Sequence, residues 1–183
     1  MVFTDTPLAG AVIIEPEVFH DERGFLARVF CEREFMSRGL NPHAAQCNVS
    51  FNHRCGTLRG LHLQHAPHAE AKLVRCTAGG IFDVIVDLRA ASPTFGTHFG
   101  ITLTAHNRTM LYVPEGCAHG FQTLEDDTEV FYQMAAAHEP KAADGVRWND
   151  PAFGIAWPLA VTVISERDRH LPDFHAGDAR WRA

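Results

Sequence analysis

The chain has 183 residues, 46% of them hydrophobic and 21% charged, with a formal net charge of -6. That length fits one domain with a substantial core, and the balance excludes a disordered chain. The acidic sign excludes a general nucleic-acid binder, which needs a basic face to neutralise phosphates.

No stretch approaches the roughly 18 apolar residues of a membrane span. Asp5, Glu15 and Glu17 also interrupt the N-terminal region before a leader-like apolar run can form. The expectation is a soluble, cytoplasmic protein with neither a nucleic-acid nor a membrane partner. The five cysteines, Cys31, Cys47, Cys55, Cys76 and Cys117, are scattered and odd in number, and none forms a C-x-x-C pair. This is neither a disulfide framework nor a zinc ribbon, and the thiols are expected to be reduced.

Taken in chain order, short runs rich in β-branched and aromatic residues cover 12–14, 24–30, 72–76, 81–88, 99–104, 110–113 and 129–134. Gly79-Gly80, Ser92-Pro93, Pro114-Glu115-Gly116 and Glu125-Asp126-Asp127 break the chain between them. Many short strands at this spacing predict an all-β sandwich or barrel. One helix is predicted over 32–38, with Gly39 as its stop. From about residue 144, Trp148, Pro151, Trp157 and Pro158 suggest ordered loops with short helical turns. Residues from about 174 to 183 are expected to form a frayed tail. With no repeat or linker, one domain is expected over 1–183, its core spanning about 7–172.

The stretch Leu58-Arg59-Gly60-Leu61-His62-Leu63-Gln64 places a cation and an imidazole beside a glycine inside an apolar strand. Lys72 stands at the entry of the next strand, His119 lies within Pro114 to Phe121, and Tyr132 sits among Val130, Phe131 and Met134. Polar groups in strands suited to burial are costly unless they find partners or have work to do. Each has an ordinary alternative. His62 could be a satisfied core imidazole, Tyr132 a core ring, and Lys72 a solvated strand end. A metal site is the rival reading for His62. Two ligands on one strand face need His-x-His spacing, and position 64 holds Gln64, while His65 falls on the opposite face unless a loop reorients it. Strict alternation likewise separates Arg59 from His62. A bulge at Gly60 would bring them together, as would a reach of Arg59 around the strand end.

These segments resemble the dTDP-4-dehydrorhamnose 3,5-epimerase family of rhamnose biosynthesis, over about 7–172. The shared residues include Glu15-Pro16, Asp21 to Phe25, Leu58 to His62 with Gln64, Lys72 to Cys76, and Phe82-Asp83-Val84. They continue through Ser92 to Gly96, Pro114 to Gly116, Ala118 to Phe121, Trp148 to Pro151, and Ser165-Glu166 with Asp168. The resemblance implies a cupin-type jelly roll, usually a homodimer, with no metal and no cofactor. Its substrate would be a nucleoside-diphosphate 4-keto-6-deoxy sugar, inverted at C3, C5 or both.

The resemblance also places the general base on His62, the opposing acid on Tyr132 and the enolate-oxygen partner on Lys72. The carboxylate behind the base falls on Asp168, with Asp83 as the substitute. Arg59 falls where the diphosphate is held, and Arg23 where a partner subunit contributes. Further substrate contacts fall on His119, Gln46, Asn48, Phe25, Arg28 and Arg167. The set makes chemical sense. Proton abstraction beside a ketone needs a base and a positive group where enolate charge develops, and inversion needs a donor on the other face. A phenol with a pKa of about 10 suits that last task.

The chain departs from the family pattern at the nucleoside end. Arg28 replaces a usual glutamate, Ala137 with His138 replaces an aromatic run, Ala143 replaces an acidic contact, and the loop over 48–57 is one residue longer. These changes suggest a carrier other than thymidine diphosphate, such as cytidine diphosphate, or a different deoxysugar. A non-catalytic sugar-nucleotide-binding cupin and a metal-dependent cupin enzyme are the rival readings.

Overall fold

The computed structural model describes residues 1–181. Its elements are β1 (Val2–Asp5), β2 (Val12–Glu15), β3 (Val18–Asp21), β4 (Gly24–Ala27), α1 (Glu32–Ser37), β5 (Gln46–Asn52), β6 (Thr57–Gln64), β7 (Lys72–Ala78) and β8 (Gly80–Asp87). They continue with β9 (His98–Thr104), β10 (Met110–Val113), β11 (Cys117–Thr123), β12 (Thr128–Met134), β13 (Ala143–Gly145), β14 (Val163–Ile164), α2 (Glu166–Arg169) and a 3-10 turn (Ala179–Trp181). One sheet runs β1-β2-β10-β7-β12-β5, the other β13-β6-β11-β8-β9, and β3 and β4 form a separate hairpin. The pairs are antiparallel except for β14, which runs parallel to the start of β6.

Period-two alternation divides each strand between two environments. Val74 and Cys76 of β7, Ile81 and Ile85 of β8, Phe121 of β11 and Val130 of β12 meet in one buried cluster between the sheets. The intervening residues, such as Leu73, Val84, Val86 and Ala118, face outward into two other clusters. Phe35 of α1, 1% exposed, covers the outer face of the first sheet against Ile14, Leu73 and Met110. Burying such a ring contributes about 1.5–3 kcal/mol. The helix stops where Gly39 adopts a φ of +70° and Leu40 N–H returns to the Phe35 carbonyl at 3.0 Å.

The expected all-β sandwich and the helix near 32–38 are present, with corrections. The strand expected over 24–30 ends at Ala27, and 28–30 lead into α1. β1, β3, β5 and β11 were not among the predicted runs. The expected fray from 174 is replaced by packing. Phe174 meets Phe153 at 5.0 Å and Trp181 at 5.9 Å, and Trp181 is 3% exposed beneath the second sheet. Arg182 and Ala183, part of that expected tail, lie outside the described residues.

Of the two routes that would bring Arg59 and His62 together, the structure has the bulge at Gly60. In the β6–β11 pairing His62 faces His119 and Arg59 faces Phe121, so β6 holds one residue more than its partner between these pairs. Gly60 has a φ of +119°, and a Cβ there would lie 2.6 Å from Gly120 Cα and 2.8 Å from the His119 carbonyl oxygen. Both the backbone angle and the close strand approach require glycine. Gly60→Ala is therefore expected to destabilise the protein by about 2–4 kcal/mol. Urea unfolding measures this, and a variant within experimental error of wild type would show that the bulge is not needed.

Candidate active site

A cavity of about 860 Å³ opens between the two sheets. Its walls come from inward-facing positions. Gln46, Asn48 and Ser50 alternate along β5, Tyr132 and Met134 along β12, and Lys72 opens β7. The second sheet contributes His119 and Phe121 from β11, and Arg59 with His62 from β6. The Gly60 bulge puts these last two in one wall. His62 and Tyr132 thus come from opposite sheets, so a molecule held between them would meet one on each side.

His62 is backed by Asp168, with Nε2 to Oδ1 at 2.7 Å. The other oxygen of Asp168 accepts the Gly60 N–H at 3.0 Å. The chain delivers this carboxylate through β14, which pairs with Thr57 and Leu58, and then α2, whose N-cap Ser165 accepts the Asp168 N–H at 3.0 Å. Asp168 is 4% exposed. Burial alone would raise its pKa. The hydrogen bond and charge of His62, with the bonds from Gly60 and Ser165, outweigh that and hold it below the ordinary carboxylate value.

Asp83, the alternative partner, serves a different imidazole. It accepts from His119 with Nε2 to Oδ1 at 2.8 Å, is fully buried, and leaves Oδ2 without a partner. Lys72 is also buried, not a solvated strand end, and its Nζ lies 2.6 Å from Glu70 Oε1. Glu70 was missed in the sequence, although its place two residues before Lys72, where an extended lead-in to β7 returns it to the same side, was a readable signal. Arg59 Nε donates to Asn52 Oδ1 at 2.7 Å, and Asn52 was likewise not anticipated. Gln46 Nε2 bonds Asn48 Oδ1 at 3.1 Å, while Gln46 Oε1 accepts the His138 N–H at 3.0 Å. Arg167 lines the cavity from α2.

Three of the expected substrate contacts are not brought to this cavity within one chain. Arg23 and Phe25 lie on the β3–β4 hairpin, where Arg23 pairs with Asp21 and Phe25 lies 4.1 Å beneath the Arg108 guanidinium. Arg28 follows the hairpin and bonds Glu34 at 3.0 Å.

Among the described residues, no group of three or more His, Cys, Asp or Glu side chains is arranged to hold a metal ion. His65, the possible second ligand, has its own carboxylate, Asp144, at 2.8 Å. Burial pushes the thiols of Cys76 and Cys117 up to about 11 and about 12, which keeps them protonated. The site therefore offers a carboxylate-backed imidazole on one sheet, a phenol and a buried ammonium on the other, and guanidiniums at Arg59 and Arg167, all lining one cavity. That arrangement suits proton transfer at a carbon next to an oxygen that gains negative charge.

The family description dTDP-4-dehydrorhamnose 3,5-epimerase matches residues 5–176. A protein of that name from Methanothermobacter thermautotrophicus is 45% identical over 92% of this chain and 91% of its own length. The crystal structure of a Bacillus anthracis enzyme of the same name, with TDP and PPi bound, superposes with a TM-score of 0.91 at 39% identity, covering 94% of this chain and 99% of that one. A 3'-monoepimerase from Streptomyces bikiniensis, in complex with dTDP-quinovose, superposes with a TM-score of 0.85 at 34% identity, covering 92% of this chain and 85% of that one.

The His62–Asp168 pair has a pH signature. Because the folded state depresses the Asp168 pKa below its ordinary 3.8, its contribution to stability is present above that value and is lost as pH falls through the depressed one. Asp168→Asn is expected to be less stable than wild type near neutral pH, with the gap narrowing below 3.8. A gap that stays constant across an acid titration of unfolding would contradict this account.

Proposed function

We infer the reaction from one premise: the chain belongs to the dTDP-4-dehydrorhamnose 3,5-epimerase family. It is an isomerase, a sugar-nucleotide epimerase of deoxysugar biosynthesis. We propose that its substrate is a nucleoside-diphosphate 4-keto-6-deoxy sugar, bound with the sugar between His62 and Tyr132. One observation carries the mechanism: a carboxylate-backed imidazole on one sheet faces a phenol on the other.

In the proposed reaction, His62 removes the proton from a carbon next to the C4 ketone, and Asp168 stabilises the imidazolium that results. Lys72 donates to the ketone oxygen as it becomes an enolate. Tyr132 returns a proton to the carbon from the opposite side, which inverts the centre. Arg59 and Arg167 hold the diphosphate, with Gln46, Asn48 and His119 as further contacts. Both 3,5-epimerases and a 3'-monoepimerase resemble this chain, so whether C3, C5 or both are inverted depends on how the sugar seats in the cavity.

Arg23, Phe25 and Arg28 take their proposed substrate-binding roles in a homodimer, reaching the cavity of a second copy. The hairpin that bears Arg23 and Phe25, and leads into Arg28, exposes Phe19 at 67% and Leu26 at 74%, and the β5 edge exposes Val49 and Phe51, apolar surface suited to such an interface. Arg28, Ala137 and Ala143 further suggest a carrier other than thymidine, because they remove acidic and aromatic contacts from the nucleoside end.

In heavy water, nuclear magnetic resonance of wild type with 4-keto-6-deoxyglucose on thymidine, cytidine and other diphosphates should show deuterium entering C3, C5 or both. His62→Ala should lower this exchange by about 10²–10⁴-fold, and Tyr132→Phe should lose inversion more than exchange. Unimpaired exchange in His62→Ala would remove it as the base, and fastest turnover on thymidine diphosphate would refute the altered carrier. Light scattering should give a mass twice that of one chain, and a monomer that is fully active would exclude the shared site.

A further inference from the structure

The Glu70–Lys72 pair has a geometry that stability does not explain. Both side chains are buried, at 3% and 7% exposure, and both line the cavity. Taking two opposite charges out of water costs several kcal/mol per ion on the order-of-magnitude scale, so a buried pair is seldom a better stabiliser than apolar residues of the same volume. Here an apolar pair would find apolar neighbours, since Val113 and Met134 flank Lys72 on the adjoining strands.

The local backbone aims both groups at the cavity. Lys72 is held on both sides, paired with Val113 of β10 and Met134 of β12. Ala71 turns the other way into the outer apolar cluster, and its carbonyl accepts the Ala135 N–H at 2.9 Å. Glu70 therefore returns to the inner face, two residues from Lys72, where Oε1 meets Nζ at 2.6 Å. The second oxygen, Oε2, is enclosed without a partner, so no solvent draws the carboxylate away. Among the described residues, Glu70 Oε1 is the acceptor that Nζ reaches. An ammonium has three N–H groups, and the remaining ones are left for a ligand.

We infer that Glu70 is a positioning residue. By anchoring one N–H of Lys72, it orients the others toward the oxygen of the sugar ketone and fixes the long, flexible side chain before charge develops there. This rests on the reading of Lys72 given above. Without the anchor the ammonium has four rotatable bonds over which to wander, and a misplacement of about 1 Å can cost about 100-fold in rate. Because the contact strengthens in the transition state, the loss falls on kcat and not on KM.

The test uses Glu70→Ala, Glu70→Gln, Lys72→Ala and the Glu70→Ala/Lys72→Ala double variant, with epimerisation and deuterium exchange as readouts. Glu70→Ala is expected to lose about 10–100-fold in kcat with KM nearly unchanged. Glu70→Gln, which keeps an acceptor oxygen in the same volume, should recover most of that loss. In the Lys72→Ala background, removing Glu70 should cost nothing more, since its effect passes through the ammonium. Thermal melting of all four separates folding from kinetics, and Glu70→Gln reports even where the alanine variant is unstable. Wild-type kcat in Glu70→Ala, or losses that multiply in the double variant, would overturn the proposal while leaving the epimerase reading intact. A wild type that exchanges no proton would overturn both.

Discussion

The Asp168 carboxylate is the contact on which the site depends, because its two oxygens tie together two different levels of structure. One holds the His62 imidazole at 2.7 Å and the other holds the Gly60 N–H at 3.0 Å. The second bond matters as much as the first. A bulge leaves a backbone N–H outside the strand ladder, and a buried N–H without a partner costs about 1–3 kcal/mol. Asp168 satisfies that donor and, in the same place, orients the His62 imidazole that lines the cavity beside the bulge. Secondary-structure irregularity and side-chain placement are therefore one problem with one solution.

The two-sheet architecture then does what a single sheet could not. Residues alternating along one strand lie on one wall, and a group on that wall approaches a ligand from one side only. With His62 on β6 of the second sheet and Tyr132 on β12 of the first, the cavity presents imidazole and phenol from opposite directions. The polar groups at this end of the sandwich interior are affordable because they come in bonded sets. His62 has Asp168, His119 has Asp83 and Lys72 has Glu70, each within 2.8 Å.

Much of this was legible in the sequence, for identifiable reasons. Strands 72–78, 80–87 and 110–113 show as β-branched runs because they are central and buried, and 98–104, an edge strand, shows through Phe99, Ile101 and Leu103. β3 and β5 did not, because they lie at exposed edges and carry mixed residues such as His20, Asn48 and Ser50. Asp168 lies 106 positions from His62, and no local periodicity relates them. That pairing came from the resemblance, and the fold then distinguished it from Asp83. Glu70 was within reach of period-two reasoning from Lys72, but no local pattern singles out one carboxylate just before a strand. The tail misled in the opposite way. Its polar composition hid Phe174 and Trp181, two rings that close the outer face of the second sheet.

Charge distribution explains how a chain of net charge -6 accepts an anionic ligand. Around His62, His119 and Lys72 each carboxylate is hydrogen-bonded to a nitrogen-bearing side chain: Asp168 to His62, Asp83 to His119 and Glu70 to Lys72. Arg59 differs. It is exposed, and its guanidinium bonds neutral acceptors, Asn52 Oδ1 at 2.7 Å and the Phe51 carbonyl at 3.4 Å. These fix its direction without neutralising it. Arg167 enters the same cavity from α2, the helix that also carries Asp168. Arg59 and Arg167 thus add cationic groups with no carboxylate partner among the described residues to a cavity whose carboxylates are already hydrogen-bonded. A concave, low-dielectric wall focuses that local field whatever the overall sign. A diphosphate would then settle against the arginines, leaving the attached sugar to reach His62 and Tyr132. In the proposed binding mode, the orientation of the substrate would follow from the placement of the arginines as much as from the shape of the cavity.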